Sequence, residues 1–584
     1  MPFEYSWAGI LRRVCRTIIV FIGIAFSMQI YANADKSSKF IKYSFSYKTS
    51  HEKNSFLNIS LSFRGDTSGE TKIELPSQIA GISDLYKNIK NLRVTNASLE
   101  KTRDPKIFLL HHAPNNIIFI TYQVKQGWHG SVTDPQQSLV PIFQKSYFQF
   151  PGEGVFIYPE SYKNQKSLPV TFEWDVPAKW IISNSYGAHI TSQSVTTDLG
   201  NILRGLYVGG DFRLYDTSDN KGLIWIAMQG KWNFSDEEFN HLMVKIISNG
   251  RSFWNDDSPH YLASLLQIGS SCKTGGGSGH TNAFSAFFNM DCTLMNNNIL
   301  HILSHETFHN WNGSELFDVS DKKREVYFYW FTEGFTDYYA SLLNFRSDLL
   351  NFEGYIKRYN RVLVDYYSSS VNTATIEQVA DNFWKDFNME RLVYLQGEIL
   401  AHNWNTQIKN AEKQQSLDNL MRSLFNVVKI EKSKLTLDKL NLIAEQYDKN
   451  DVLQDINSLY SGKLLIPNKN SLGPCVYQSN MMLAPYSRGF DLDTSKETGK
   501  ISSVKQDSRA FAAGLRDGQQ FIMIEEQLDD ISQTTNITIK DIGIIKVIKY
   551  YPYKGELKSI PQFILDQSMW ETQKERCLAW FQAT

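Results

Sequence analysis

His305, Glu306 and His309 form an H-E-x-x-H pattern. On a helix, residues four apart share one face, so both imidazoles can reach a single ion. Zinc takes neutral imidazole nitrogens, and a carboxylate beside them can take a proton from a water that the metal polarises. Two histidines leave zinc one short of the three protein ligands that a catalytic site usually holds. Glu333, inside Trp330-Phe331-Thr332-Glu333-Gly334-Phe335-Thr336-Asp337-Tyr338-Tyr339, is the expected third. Asp337, one helical turn later, is expected to accept a hydrogen bond from the far nitrogen of a ligand histidine and so fix its tautomer. These residues predict one bound Zn2+ ion and metal-assisted hydrolysis, with Glu306 as the proton carrier.

The pattern around them predicts the elements that carry them. Ile299, Leu300, Ile302, Leu303 and Phe308 make an apolar stripe at helical spacing, with Asn297 and Asn298 as N-caps. A second helix carries Glu333 and runs towards Leu343. Gly334 inside it costs helix stability, which points to close packing, such as an approach to the zinc helix. From about Lys39 to Phe212 short alternating runs, such as Leu57-Asn58-Ile59-Ser60-Leu61-Ser62-Phe63, predict a β-sandwich-like domain. Leu223-Ile224-Trp225-Ile226-Ala227-Met228 opens a new region with a strand. Helical patterns fill most of the chain from there to about Ser461, and a Gly-, Pro- and Asn-containing linker follows to Ser471.

The motifs resemble those of the gluzincins, zinc peptidases with two histidines from H-E-x-x-H and a downstream glutamate. The nearest resemblance is to the glycyl aminopeptidase family, whose members carry W-x-x-E-G-x-T-x-Y-Y after the zinc helix. Here the matching residues are Trp330, Glu333, Gly334, Thr336, Tyr338 and Tyr339. The resemblance runs from about Tyr43 to the C-terminus. It implies a multidomain α+β chain: a β-sandwich-like domain over 35–215, a thermolysin-like catalytic domain with a helical C-terminal half over 216–470, and a PDZ-like domain over 471–584.

Three further sites follow from the same resemblance. Tyr394 aligns with the second tyrosine of the family's Y-Y-x-K-G segment, which implies an oxyanion donor; Gln396 stands where the family has lysine. Gly275, Gly276, Gly277 and His280 align with a substrate-aligning strand that ends in G-G-L-E-H. Its glutamate binds the substrate's free ammonium, and that position is Gly279 here. A buried ammonium without a charge partner is costly. Three readings are therefore open: another acid takes over, cleavage is internal, or peptide hydrolysis is reduced. Finally, Arg488-Gly489-Phe490-Asp491-Leu492 and Ser508 to Gln519 resemble a PDZ loop-and-strand and its small helix. Gly489 and Phe490 would line a groove for a peptide ligand, and Gln519 replaces the usual aspartate.

Arg12, Arg13 and Arg16 precede an apolar stretch over 18–28, and Ala32-Asn33-Ala34 offers a cleavage site. Residues 1–34 therefore read as a signal peptide, which predicts a periplasmic or secreted protein with no stable membrane insertion after cleavage. Four cysteines lie beyond it, Cys272, Cys292, Cys475 and Cys577, with three connectivities between them. Order along the chain favours Cys272 with Cys292 and Cys475 with Cys577. A formal net charge of −1 with no basic tract argues against nucleic acid as a partner and leaves a peptide or protein substrate. The expected function is a zinc metallopeptidase, aminopeptidase-like with altered recognition of the N-terminus. The alternatives are an endopeptidase on the same scaffold and a non-catalytic PDZ-containing binding protein with a vestigial zinc site.

Overall fold

Alternation of apolar and polar residues builds the first part of the chain. Strand Ser55–Arg64 buries every second residue, the period that puts successive side chains on opposite faces of a sheet. It pairs along its length with Ile41–Thr49 and Ile117–Lys125 in a six-stranded sheet, and two further sheets of four and five strands complete residues up to Phe212. Their core is aromatic: the Phe45 ring stacks on Trp174 at 4.0 Å and Tyr43 on Phe156 at 4.4 Å. The computed structural model describes residues 38–49, 55–133, 135–268, 275–289, 294, 297–313, 316–317, 325–411, 415–449, 451–484, 486–526, 534–554 and 557–582. The signal segment and the cysteines at 15, 272 and 292 lie outside them. Among the described residues no helix is long and apolar enough to cross a membrane.

The described residues divide after Phe212, and those from Arg213 onward form a second unit. That unit opens with five strands: β1 (Arg213–Ser218), β2 (Leu223–Gln229), β3 (His260–Gln267), β4 (Gly275–His280) and β5 (Ala283–Phe288). They lie in the order β1-β2-β3-β5-β4, so glycine-rich β4 is an edge strand, antiparallel to β5. Helix α1 (Asp236–Trp254) starts at a capping box in which Ser235 and Glu238 satisfy each other's backbone N–H groups. Its Phe239, Met243 and Ile247 pack on Ile226 and Ala263 of the sheet and on Ile299, Leu300 and Leu303 of α2 (Asn297–Phe308). Asn297 and Asn298, expected as N-caps, are instead the first residues of α2.

Helix α3 (Gly334–Arg346), α4 (Phe352–Ser368) and α5 (Phe387–Ala411) form the centre of the helical half. The close approach expected at Gly334 exists, but its partner is α5 and not the zinc helix. A Cβ on Gly334 would stand 2.4 Å from the Gly397 Cα, and one on Gly397 would stand 1.8 Å from the Trp330 carbonyl oxygen. Two glycines thus let α3 and α5 cross backbone to backbone. Trp330, Phe335 and Trp404 are buried around that crossing. Helices Leu417–Glu431 and Leu437–Glu445 follow.

Beyond residue 470, strands β6 (Val476–Leu483) and β10 (Lys558–Leu565) pair with each other, and β7 (Gln520–Glu525), β8 (Thr535–Asp541) and β9 (Ile544–Tyr550) form a separate sheet. Residues 488–492, expected as a loop and strand, depart from that reading. The Asp491 side chain accepts from the Thr494 N–H and caps a helix, Leu492–Thr498, leaving one strand-like bridge to Ser502. A capping carboxylate followed by helix-compatible residues starts a helix here. Phe490 is buried among Ile501, Leu515 and Ile537. The Gly489 carbonyl accepts from the Lys505 N–H at 2.8 Å and the Arg488 carbonyl from the Tyr550 hydroxyl at 2.7 Å.

This last segment is fastened to the helical half. Asn360 of α4 uses its side-chain amide as a strand would: Nδ2 donates to the Phe563 carbonyl at 2.8 Å and Oδ1 accepts from the Phe563 N–H at 2.7 Å. Cys475 and Cys577 form the expected disulfide, which ties α6 (Lys574–Ala579) to the start of β6. Phe581 then seats its ring against Phe345 and Phe352, and its carbonyl accepts from Arg346 Nε.

Candidate metal centre

Helix α2 presents His305, and the turn after it presents His309, whose N–H still bonds back to the His305 carbonyl at 3.2 Å. Asn312, wholly buried, locks that turn to the next motif. Its amide donates to the Phe331 carbonyl at 3.1 Å and to Thr336 Oγ1 at 3.0 Å. Glu333 sits at the entry to α3, so its side chain is set by that helix on one side and by the Asn312 clamp on the other. The outcome is a tight triangle. His305 Nε2 lies 2.9 Å from His309 Nε2 and 3.3 Å from Glu333 Oε2, and His309 Nε2 lies 3.1 Å from the same oxygen.

That triangle fits a metal. Ligand atoms about 2.0–2.1 Å from a tetrahedral zinc stand roughly 3.3 Å from one another. The far nitrogens decide the tautomers: His305 Nδ1–H donates to Asp337 Oδ1 at 2.8 Å, and His309 Nδ1–H donates to the Asn312 carbonyl at 3.0 Å. Both Nε2 atoms therefore turn lone pairs towards one point, an arrangement that repels itself unless a cation sits there. Burial works against a charge on Glu333, but positive charge on the two imidazoles, carried by protons where no metal is bound, outweighs it and holds its carboxyl far below the usual range. His305, His309 and Glu333 thus form a set of side chains that could hold a metal ion.

The other expected residues gather around it. Glu306 is half-buried beside β4, where a Cβ on Gly277 would meet Glu306 Cγ at 2.4 Å, so glycine lets the edge strand lie this close to its side chain. Burial lifts the Glu306 carboxyl above its usual range against the pull of His305 and His309. The Tyr394 ring on α5 stacks over His305 at 5.9 Å. Burial, reinforced by the carboxylates of Glu333 and Asp337, pushes its phenol well above the usual value, so it stays a donor.

A Cβ on Gly279 would stand 2.6 Å from His309 Cβ. The position that the resemblance aligns with a glutamate therefore faces His309, and this backbone leaves no room for a side chain there. Gly275 and Gly276 lie against Phe288 and Phe287, and His280 bonds Ser285 Oγ at 3.1 Å through Nε2. Gly489 and Phe490 belong to the separate core of the last segment.

Sequence reasoning missed a layer behind Asp337. His301 Nε2 lies 2.7 Å from Asp337 Oδ1, and Arg358 Nη2 lies 3.6 Å from Asp337 Oδ2 and 3.4 Å from Glu398 Oε2. His301 could have been found, since His301, His305 and His309 fall at successive intervals of four on one helix face. Arg358 and Glu398 come from α4 and α5 and carry no local signal.

Residues 298–400 match the M61 glycyl aminopeptidase family. No curated protein matches the chain. Among solved structures, an aminopeptidase N family protein from Idiomarina loihiensis is similar at a TM-score of 0.68 and 16% identity, over 93% of this chain and 100% of that one. An M1 zinc metallopeptidase from Deinococcus radiodurans is similar at a TM-score of 0.46 and 11% identity, over 74% and 95%. The first likeness shows a shared mixed α+β fold with a β-rich N-terminal part and a helical C-terminal half. With the family match over the metal helices and an intact ligand set, the chain is a zinc metallopeptidase.

Proposed function

We propose that this chain is an exported peptidase that holds a single zinc ion and cleaves peptides without requiring a free N-terminus. The observation that carries the reading is the pairing of an intact base and ligand set with Gly279 packed on His309. When bound by His305, His309 and Glu333, zinc supplies Lewis acidity to the scissile carbonyl and the attacking water. Glu306 takes a proton from that water and passes it to the leaving amine. The Tyr394 hydroxyl donates to the oxygen where negative charge develops. Among the described residues β4 is the edge strand of its sheet, so the substrate backbone can add to it as a further strand, with Gly277 beside the base.

Without a glutamate at 279, a free ammonium gains no charge partner there, while an acetylated N-terminus loses nothing. A charge-assisted hydrogen bond contributes about 1.5–3 kcal/mol, or roughly 10- to 150-fold in preference, where it exists. Here kcat/KM for free and acetylated versions of one peptide is expected to agree within about threefold, well below the preference such a bond confers. Strict dependence on a free amine would contradict the reading. It would direct attention to Glu390, one turn before Tyr394 on α5, whose carboxyl burial raises and which feels the charge of Glu333. Gly279 equally favours internal cleavage, which product masses from a longer acetylated peptide distinguish.

The Cys475–Cys577 disulfide supports an oxidising compartment and therefore export. The PDZ-like reading of 471–584 is kept as a bracing module. The loop carbonyls at Arg488 and Gly489 already accept internal hydrogen bonds, and a helix follows where a peptide-pairing strand was expected.

A further inference from the structure

We propose that His301 and Arg358 are positioning residues for the metal centre, which together fix Asp337 as the acceptor that aligns His305. The proposal rests on the zinc-peptidase reading and deepens it.

Asp337 Oδ1 takes hydrogen bonds from two imidazoles, His305 Nδ1 at 2.8 Å and His301 Nε2 at 2.7 Å. With one acceptor atom shared, a rotation of the carboxylate that weakens one bond weakens the other. His301 is oriented from its far side by the Ser341 hydroxyl, 3.4 Å from Nδ1. The 2.7 Å contact places the His301 proton on Nε2, where it serves Asp337, so Arg358 Nη2, 2.9 Å from the same nitrogen, donates to the neighbouring carboxylates and not to the ring. Arg358 reaches the other carboxylate oxygen, and Glu398, almost wholly buried, balances its charge.

His301, His305 and Asp337 also lie close enough together to resemble a second metal site. The guanidinium decides against that reading. Arg358 Nη2 lies 2.9 Å from His301 Nε2 and 3.6 Å from Asp337 Oδ2, so a fixed positive charge already occupies the place a dication would need. A second ion would also require His305 to bind metals through both nitrogens. The cluster is a support for one metal, and such partners typically change metal affinity by about 10- to 100-fold when removed.

The test is zinc affinity by chelator competition on the full chain from residue 35, with thermal melts of the metal-free proteins as a folding control. His301→Leu is expected to weaken zinc binding about 10-fold or more, and His301→Gln, which keeps a donor, to recover most of the loss. Arg358→Met, set against Arg358→Lys, is the second pair should His301→Leu fold poorly. Unchanged zinc affinity in folded His301→Leu and Arg358→Met would overturn the proposal while leaving the site intact. Equal losses in the Leu and Gln variants would overturn it in favour of packing. Two zinc ions in the wild type and one in His301→Leu would overturn it in favour of a second metal. A wild type that takes up no zinc would overturn the ligand set itself.

Discussion

Glu306→Gln is expected to bind zinc as the wild type does and to lose turnover by about 10²- to 10⁴-fold, the usual contribution of a positioned proton carrier. The substitution keeps the shape of a side chain that packs against Gly277, so β4 need not move. It leaves all three ligand atoms, and the hydrogen bonds from His305 to Asp337 and from His309 to Asn312, in place. What it removes is an oxygen that can accept a proton from water and return it to the leaving amine. Burial of Glu306 sharpens the effect, because a half-buried carboxyl with a raised pKa is better matched to proton transfer near neutrality than an exposed one. Zinc content and kcat on the same preparation check both halves. Residual turnover near that of the wild type would mean that another group carries the proton.

Replacing Cys475 and Cys577 with serine is expected to have the largest effect on stability. The bridge spans 102 residues, and closing a loop of that size restricts the unfolded chain by roughly 4–5 kcal/mol in the chain-entropy account. Both sulfurs are buried, and the bridge holds α6 so that Phe581 can seat against Phe345 and Phe352 and accept from Arg346, the last residue of α3. The double variant should unfold at markedly lower urea concentration than the oxidised wild type, and added reductant should move the wild type to match. The metal ligands touch none of these residues, so zinc affinity in the absence of urea should hold. A midpoint unaffected by reduction would show that the clamp through Asn360 and Phe563 suffices alone.

The metal centre was legible because its chemistry is local. His305, Glu306 and His309 fall within one turn and a half of helix, and Glu333 and Asp337 are one turn apart in one motif. The amphipathic helices and alternating strands were legible for the same reason: burial follows periodicity. What escaped depends on contacts between distant segments. That Gly334 meets α5 rather than α2 is a fact about helix crossing, visible only where Gly397 arrives from another helix. Arg358 and Glu398 join Asp337 from α4 and α5 with nothing in their own neighbourhoods to mark them. The likeness of residues 488–492 to a PDZ segment predicts a loop and strand, and the capping aspartate at 491 starts a helix there instead.

The most direct test of the account is metal titration of activity. Chelator-stripped wild type should hydrolyse neither free nor acetylated peptides, and activity should return in proportion to added zinc and saturate at one ion per chain. Glu333→Gln should need far more zinc to reach any activity, because it loses a charged ligand. Hydrolysis that survives complete removal of metal, or full zinc affinity in Glu333→Gln, would contradict the assignment of His305, His309 and Glu333 as the ligands of a catalytic zinc.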